Sequence, residues 1–425
     1  MSTADSGVTS RTNAQELDSQ DPLAHYRDEF LITDPEKCYL DGNSLGRLPK
    51  RTIENINNYL LNEWGEHMVD GWSSWIDEAQ ATGDLIGRAT LGATAGQVIA
   101  VDTTSVNLYQ LCHAAIQARP GRRTVISDTA NFPTDRYILE GLCQQLDLKL
   151  ILIDDEDGEG YVSPSMLARH LTEDVALATL SVIQYRSGAL HDVAAITQLT
   201  HEFGALVLWD ASHAVGVVPM RFDVDQVDLA VGCSYKYGNS GPGSPGWLYV
   251  RHDLQQQLTV PIQGWFAQND QFAMAQGFDR APSIRGFQIA SPSIIGLRCV
   301  QVAFSMIEEA GLLAIAAKAA QGTELMITLH DAWLAKLGCS VVTPRDSAHR
   351  GAHITIRHPE ARRISEALRR TAKVVADFRQ PDCLRLAMSP LATSYVEVWE
   401  GFNRLRELII TRTYEQIGEP TSRVT

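Results

Sequence analysis

Apolar residues fall into short runs separated by stretches with helical spacing. Residues 98–102, 123–127, 148–153, 175–183, 205–210, 227–232 and 246–250 are brief and rich in Val, Ile and Leu, as buried strands are. Between them, residues 106–118, 136–145 (after a turn over 130–135), 163–170 and 192–203 carry apolar positions three and four apart, which predicts helices. Gly204 supplies a helix stop after the last of these. Strands alternating with helices predict an α/β fold with a large, doubly wound, mainly parallel sheet.

The pattern loosens after Val250. Residues 261–292 form a long irregular stretch, and such stretches in compact proteins are usually functional or interfacial. Residues 293–310 and 312–337 read as long helices, 340–342, 353–356 and 384–387 as strands, and 361–371 and 395–417 as helices. This mixture predicts a smaller α+β domain. Upstream, residues 51–64 and 84–91 read as helices, and Gly71-Trp72-Ser73-Ser74-Trp75 as a polar loop carrying two tryptophans. The expected organisation is a mobile tail over 1–22, an N-terminal segment over 23–85 that joins the small domain, a large domain over 86–300 and the small domain over 301–425.

Composition narrows the function. The chain has 425 residues, 44% hydrophobic and 20% charged, with a net charge of −15. An acidic surface of this size argues against nucleic acid or a membrane surface as partner. Seven cysteines are scattered without a C-x-x-C pair, so neither a disulfide framework nor a zinc site is expected, and reduced thiols in a cytoplasmic enzyme are the simplest reading. No signal core and no run of about 20 continuous apolar residues is found.

Two residues at strand ends carry candidate chemistry. Lys236 follows the strand 227–232 and precedes a glycine-rich loop, Gly238-Asn239-Ser240-Gly241-Pro242-Gly243. Burial favours the neutral amine of a lysine, which can attack an aldehyde. Asp210 ends the strand 205–210, where open α/β sheets bind ligands. Pyridoxal phosphate asks for such a pair: a Schiff-base lysine and an acid beside its ring nitrogen. Taken alone, Lys236 reads as well as a surface lysine and Asp210 as a helix cap. Thr104 and Ser105, at a strand-to-helix junction, read either as an ordinary cap or as a phosphate cradle.

Five stretches together resemble the kynureninases, a family of fold-type-I pyridoxal phosphate enzymes. They are Tyr39-Leu40-Asp41-Gly42-Asn43-Ser44-Leu45-Gly46, Asn131-Phe132-Pro133-Thr134-Asp135, Trp209-Asp210-Ala211-Ser212-His213, Cys233-Ser234-Tyr235-Lys236-Tyr237 and Gly264-Trp265-Phe266. The resemblance implies Lys236, Asp210 and Tyr235 as catalytic residues. It implies Thr104, Ser105, Phe132, Asp135, Ser181, His213, Trp265 and Ser291 as further cofactor contacts. Arg385 resembles the arginine that grips the substrate α-carboxylate, a task suited to a forked guanidinium. Asn43, Trp72 and Phe266 are expected at the substrate, with Trp75 as an alternative to Trp72 in the aryl pocket.

The implied reaction is hydrolysis of L-kynurenine or 3-hydroxykynurenine to anthranilate or 3-hydroxyanthranilate and L-alanine, as in tryptophan catabolism. A homodimer with shared sites is expected, and residues 261–292 are its candidate crossover. The chain departs from the family pattern at Ala267-Gln268, where Gly-His is usual, at Ala392, where tyrosine is usual, and at Gly238, where leucine is usual. Gln268 and Ala392 would reshape the side-chain pocket, which leaves an alternative: a related lyase or decarboxylase acting on another amino acid, such as a sulfur conjugate. A ligand-binding protein without turnover is a third reading, and the presence of Lys236, Asp210 and Arg385 together argues against it.

Overall fold

The computed structural model describes residues 7–418 apart from 156, 157 and 159. Thirteen strands are found among them: β1 (Cys38–Tyr39), β2 (Val98–Ile99), β3 (Thr124–Asp128), β4 (Lys149–Ile153), β5 (Val175–Ser181), β6 (Leu206–Asp210), β7 (Leu229–Gly232), β8 (Trp247–Val250), β9 (Ser340–Val341), β10 (His353–Arg357), β11 (Val374–Val375), β12 (Asp377–Arg379) and β13 (Cys383–Ala387). Seven of them form one sheet in the order β2-β8-β7-β6-β5-β3-β4. β4, β3, β5, β6 and β7 run parallel, and β8 alone is antiparallel to its neighbours. Both faces of β5, β6 and β7 are fully buried, which is why these strands read as unbroken apolar runs.

Register brings the carboxyl ends together. Ser181 pairs with Asp210, and Asp210 with Val231, so the chain after β7 leaves the sheet beside Asp210. The helices Thr104–Gln117 and Pro133–Leu146 pack on each other and start at this same edge. Thr103 Oγ1 caps the first by accepting from Val106 N at 3.3 Å.

The smaller unit is an antiparallel sheet, β12-β13-β10-β9, with the parallel pair β1-β11 beside it. The helices Leu312–Leu329, Ala361–Thr371 and Tyr395–Ile410 cover it. Residues 312–337 are long and apolar enough to span a membrane, but half of that stretch is buried inside the protein. Ile315 and Ala319 face the large core and Leu325 to Leu334 the small one, so this helix carries the chain from one unit to the other.

Three expectations are corrected. Residues 1–6 lie outside the described residues, but 7–22 are not a tail. Arg11–Gln20 is a helix capped by Ser10, and its Asp18 carboxylate accepts from Tyr395 N at 2.7 Å and Val396 N at 3.1 Å. Asp18 thus caps the helix Tyr395–Ile410, and Ala14 seals against the small core. The segment 23–85 mainly joins the large unit, because the helix Lys50–Asn58 and the helix Glu78–Ile86 both pack on Ile294–Ala310; only Cys38 and Leu40 join the small core. Trp72–Trp75 is a helical turn rather than a polar loop, with Trp75 buried. Residues 261–292 are irregular as expected, holding three single 3₁₀ turns.

Candidate active site

The carboxyl edge of the large sheet and the small unit enclose a cavity of about 300 Å³. Lys236, Asp210, Tyr235, His213, Phe132, Asp135, Thr104, Ser105, Asn43 and Arg385 line it, joined by Ser44, Thr134, Ser212 and Arg379. A volume near this lower bound is common for small-ligand pockets.

Lys236 sits on the loop after β7. The Asp41–Gly46 turn closes over that loop: Gly46 N donates to Tyr235 O at 2.8 Å. A Cβ on Gly46 would lie 2.4 Å from Lys236 O, so only glycine permits this approach. Burial lowers the Lys236 pKa, and the Arg385 guanidinium adds to the effect against the opposing carboxylates and Cys233. Its Nζ lies 3.3 Å from both ring nitrogens of His213 and 5.7 Å from the Phe132 ring centre. Burial, then Lys236 and Arg385, push His213 well below the usual histidine range, so it stays neutral beside the amine.

Asp210 ends β6, and its Oδ1 accepts from Ser212 N at 2.8 Å. Asp135 lies in the first turn of the helix Pro133–Leu146, where the helix dipole favours an anion. Burial and then the nearby Asp210 nevertheless push its carboxyl well up. Asp135 Oδ2 is buried without a partner among the described residues. Phe132 is set by Asn131, whose Oδ1 accepts from Phe132 N at 2.8 Å, and the Tyr185 ring meets Phe132 edge-on at 5.3 Å.

These residues fit pyridoxal phosphate. A desolvated amine, a buried pair of carboxyls with an orphaned oxygen, an aromatic face and a capped helix start with free N–H groups all open on one cavity. The fit is also steric. A Cβ on Gly246 would lie 2.9 Å from Thr104 N, so the loop can reach the helix start only with glycine there.

The other expected residues lie elsewhere in the chain. Ser181 is one layer behind the cavity, donating to Asn131 Oδ1 at 2.7 Å. Trp265 is 46% exposed, and its indole N–H donates to Gln271 O at 2.7 Å. Trp72 and Ser291 line a separate groove of about 550 Å³ with Tyr59, Trp64 and Trp75. The rings of Trp72, Phe266, Trp265 and Phe272 touch in series, with centroids 6.0, 5.2 and 6.1 Å apart. This aromatic ridge does not meet Lys236 within the chain. Ala392 is buried away from the cavity and its carbonyl accepts from Arg27 Nη1 at 2.6 Å, while Gln268 is held in the ridge loop by Asp279 N at 2.7 Å. Gly238 is packed on Phe304 and the Ser234 carbonyl, where a larger side chain would collide.

Sequence reasoning passed over Ser44, Thr134, Ser212, Arg379 and the buried His353, whose ring lies 5.8 Å from that of His213. Ser44, Thr134 and Ser212 stand inside stretches already singled out. Arg379 had no such signal, because β12 is only three residues long and two of them, Asp377 and Arg379, are charged.

Comparison with known proteins follows the same geometry. The family model described as the kynureninase C-terminal domain matches residues 315–405. A kynureninase of Pseudomonas fluorescens is 34% identical over 418 residues, covering 96% of this chain and 98% of its own. One from Burkholderia pseudomallei (strain 1106a) is 35% identical over 415 residues, covering 96% and 97%. Among solved structures, the apo cysteine desulfurase of Thermococcus onnurineus NA1 superposes with a TM-score of 0.77 at 17% identity, covering 93% of this chain and 98% of that one. A C-DES mutant with glycine covalently linked to its pyridoxal phosphate cofactor gives 0.77 at 16% identity, covering 90% and 99%. At those identities the two structures share the fold with this chain.

Proposed function

This chain belongs to the kynureninase family, and we propose that its cavity hydrolyses L-kynurenine or 3-hydroxykynurenine to anthranilate or 3-hydroxyanthranilate and L-alanine. The enzyme is a pyridoxal phosphate-dependent hydrolase of a carbon–carbon bond with a small amino acid as substrate. The observation that carries the reading is the convergence of Lys236, Asp210, Asp135, Phe132, Thr104 and Ser105 on one cavity, in a chain that matches kynureninases over 96% of its length.

Lys236 Nζ would tether the cofactor, Asp210 would hold its ring nitrogen, Asp135 its polar edge, Phe132 and His213 its ring, and Thr104 and Ser105 its phosphate. When bound, pyridoxal phosphate supplies the electron sink that makes carbanion character at the substrate tolerable. Lys236, released from the tether, moves the proton at the substrate α-carbon; burial lowers its pKa, which favours the neutral amine that accepts it. Tyr235 stays a neutral phenol, because Cys233 and burial push its pKa up, so it can donate a hydrogen bond into the cavity. Asn43 and Arg385 stand where the amino-acid end of the substrate would bind. A water molecule adds to the γ-carbonyl, the Cβ–Cγ bond breaks, and the aryl acid leaves.

The aryl end is read onto the aromatic ridge of a second copy. Trp64, Met68, Val69, Trp265, Phe272, Met274 and Ile295 are all exposed on or beside it, and clustered exposed apolar residues mark interaction sites. A homodimer in which Trp265, Ser291, Trp72 and Phe266 complete the partner copy's cavity would cover them. The seven unpaired cysteines suit a reducing compartment, on which ground we place the enzyme in the cytoplasm.

Release of anthranilate from L-kynurenine by purified, cofactor-loaded protein tests the reading. No anthranilate, with pyridoxal phosphate correctly bound, would reject it. The sulfur-conjugate alternative rested on Gln268 and Ala392: Ala392 is buried away from the cavity, and Gln268 sits in the ridge loop, so a failure to release anthranilate would favour it.

A further inference from the structure

Arg385 is a poor candidate for sole holder of a carboxylate. Its side chain is 1% exposed. Nε donates to Asp377 Oδ2 at 2.8 Å, Nη2 to the same oxygen and to Ser44 Oγ at 3.1 Å, and Nη1 to Tyr185 O at 2.6 Å. The Asn43 amide oxygen, turned toward it, lies 3.2 Å from Nε and Nη2. A guanidinium has five N–H donors, and these contacts occupy all but one. A forked grip on an incoming carboxylate needs two parallel bonds, so Arg385 would have to give up a partner.

Arg379 stands on the neighbouring strand β12 and lines the same cavity. Its Nη2 lies 3.1 Å from the same Asp377 Oδ2, and its side chain is 27% exposed. Two guanidinium charges therefore share one carboxylate oxygen, and Asp377 Oδ1 is buried with no partner among the described residues. The strand pairing that places Asp377 opposite Arg385 puts Arg379, two residues on, on the same face of the sheet. Asp41 is a second carboxylate acting on both guanidiniums, and Arg379 is the more exposed of the two arginines, 27% against 1%.

We propose that Arg379 is a substrate-binding residue: with Arg385 as the fixed, sealed member, it completes a two-arginine clamp on the α-carboxylate, joined through Asp377. The proposal rests on the reading that this cavity takes an amino acid. Asp377 then acts as a positioning residue that holds the guanidiniums together against their mutual repulsion, and the substrate carboxylate meets Arg379 from the cavity that it lines.

The test uses cofactor-loaded protein and compares L-alanine with L-alaninamide, which differ only in the carboxylate. Binding is followed by the absorbance of the bound cofactor, in the wild type, Arg379→Gln and Arg379→Lys. Wild type should favour L-alanine over the amide. Arg379→Gln should lose about 10- to 100-fold in L-alanine affinity, the scale of one or two charge-assisted hydrogen bonds, with amide affinity unchanged. Arg379→Lys, which keeps the charge without the fork, should recover part of the loss. The cofactor absorbance reports folding of each variant, and Arg379→Lys serves if the glutamine variant is unstable. A carboxylate-to-amide ratio equal to wild type in both variants overturns the clamp while leaving the kynureninase reading intact. A wild type that cleaves kynurenine yet shows no preference for L-alanine overturns it too. A wild type that neither cleaves kynurenine nor binds L-alanine overturns the reading of the cavity and the clamp with it.

Discussion

Lys236 and Trp265 both belong to stretches that pointed to the same site, yet the fold treats them in opposite ways. Lys236 is enclosed by His213, Phe132, Asp210 and a turn whose Gly46 seats against its own carbonyl. Trp265 is nearly half exposed, on a ridge of rings running from Trp72 to Phe272. The cavity is polar, charged and closed within one chain. The ridge is apolar and open. A cofactor's charges need fixed, desolvated partners, which one core can hold in place. An aryl ring needs mainly area and shape, which a second surface can bring. The contrast is that the charged groups proposed for the chemistry lie in one enclosed cavity, whereas the aromatic groups expected at the substrate side chain lie on a separate, open ridge.

The sharpest way to break this comparison is to disable each region separately. Lys236→Ala should abolish turnover, and borohydride trapping, which should label Lys236 in the wild type, should fail. Trp265→Ala should lower activity while borohydride still labels Lys236. Mixed and reassorted, the two variants should regain activity that neither shows at that level alone, because a hybrid pair contains one site with both residues. Absence of any gain, or light scattering that finds an active monomer, would show that the ridge does not serve a partner's cavity.

A smaller effect is expected at Asp210. Asp210→Asn keeps the shape and removes the charge, and preorganised groups of this kind are worth about 2.7–4 kcal/mol in rate. The cofactor should stay bound, since Lys236 and the helix start are untouched. Near-normal turnover would mean that Asp135 alone supplies the negative charge.

The cavity's closed construction also has a cost visible in pH. Burial and the neighbouring Asp377 push Asp41 up from 3.8 to about 6. The folded chain therefore keeps this proton longer than the unfolded chain does. Stability from this group is greatest below about pH 4, falls as pH rises toward 6 and is flat above it, a loss of about 3 kcal/mol for a shift of this size. Asp41→Asn should melt higher than wild type at pH 8, with the gap closing as pH falls to 4. An Asp41→Asn variant that melts lower than wild type at pH 8 would instead locate the ionised Asp41 in contact with a cation.

Much of the closed region was legible in the sequence and little of the open one. Buried parallel strands read as apolar runs, and the residues after them fall at one edge by topology alone, so Lys236 and Asp210 could be placed together from their positions. Arg379 was not legible, because a three-residue strand alternating charge with Phe378 looks like a loop. The helix Arg11–Gln20 was missed for a related reason: it docks through Ala14 and Asp18 rather than through an apolar stripe, and reads as a polar tail. Trp72 and Trp75 were read as loop aromatics because their single helical turn is too short to show periodicity. For Trp265 the motif was plain, but a sequence does not say whether a residue meets the cavity of its own chain, and Trp265 does not line it.

Ser181 tests the comparison at its finest grain, since the resemblance made it a cofactor contact and the fold places it behind one. Its Oγ donates to Asn131 Oδ1, which also accepts from Phe132 N, while Asn131 Nδ2 donates to Ser127 Oγ at 3.1 Å. Ser181 thus steadies the turn that presents Phe132. In Ser181→Ala, Asn131 Oδ1 keeps its bond from Phe132, so no acceptor is orphaned and the expected loss is about 1 kcal/mol of stability. Cofactor affinity should change little. Because Ser181 and Asn131 act through one bond, the pair Ser181→Ala with Asn131→Ala should cost less than the two changes added. If instead Ser181→Ala left the melting temperature unchanged and weakened pyridoxal phosphate binding tenfold, the hydroxyl would be touching the cofactor directly. The enclosed region would then extend one layer deeper than the fold now places it.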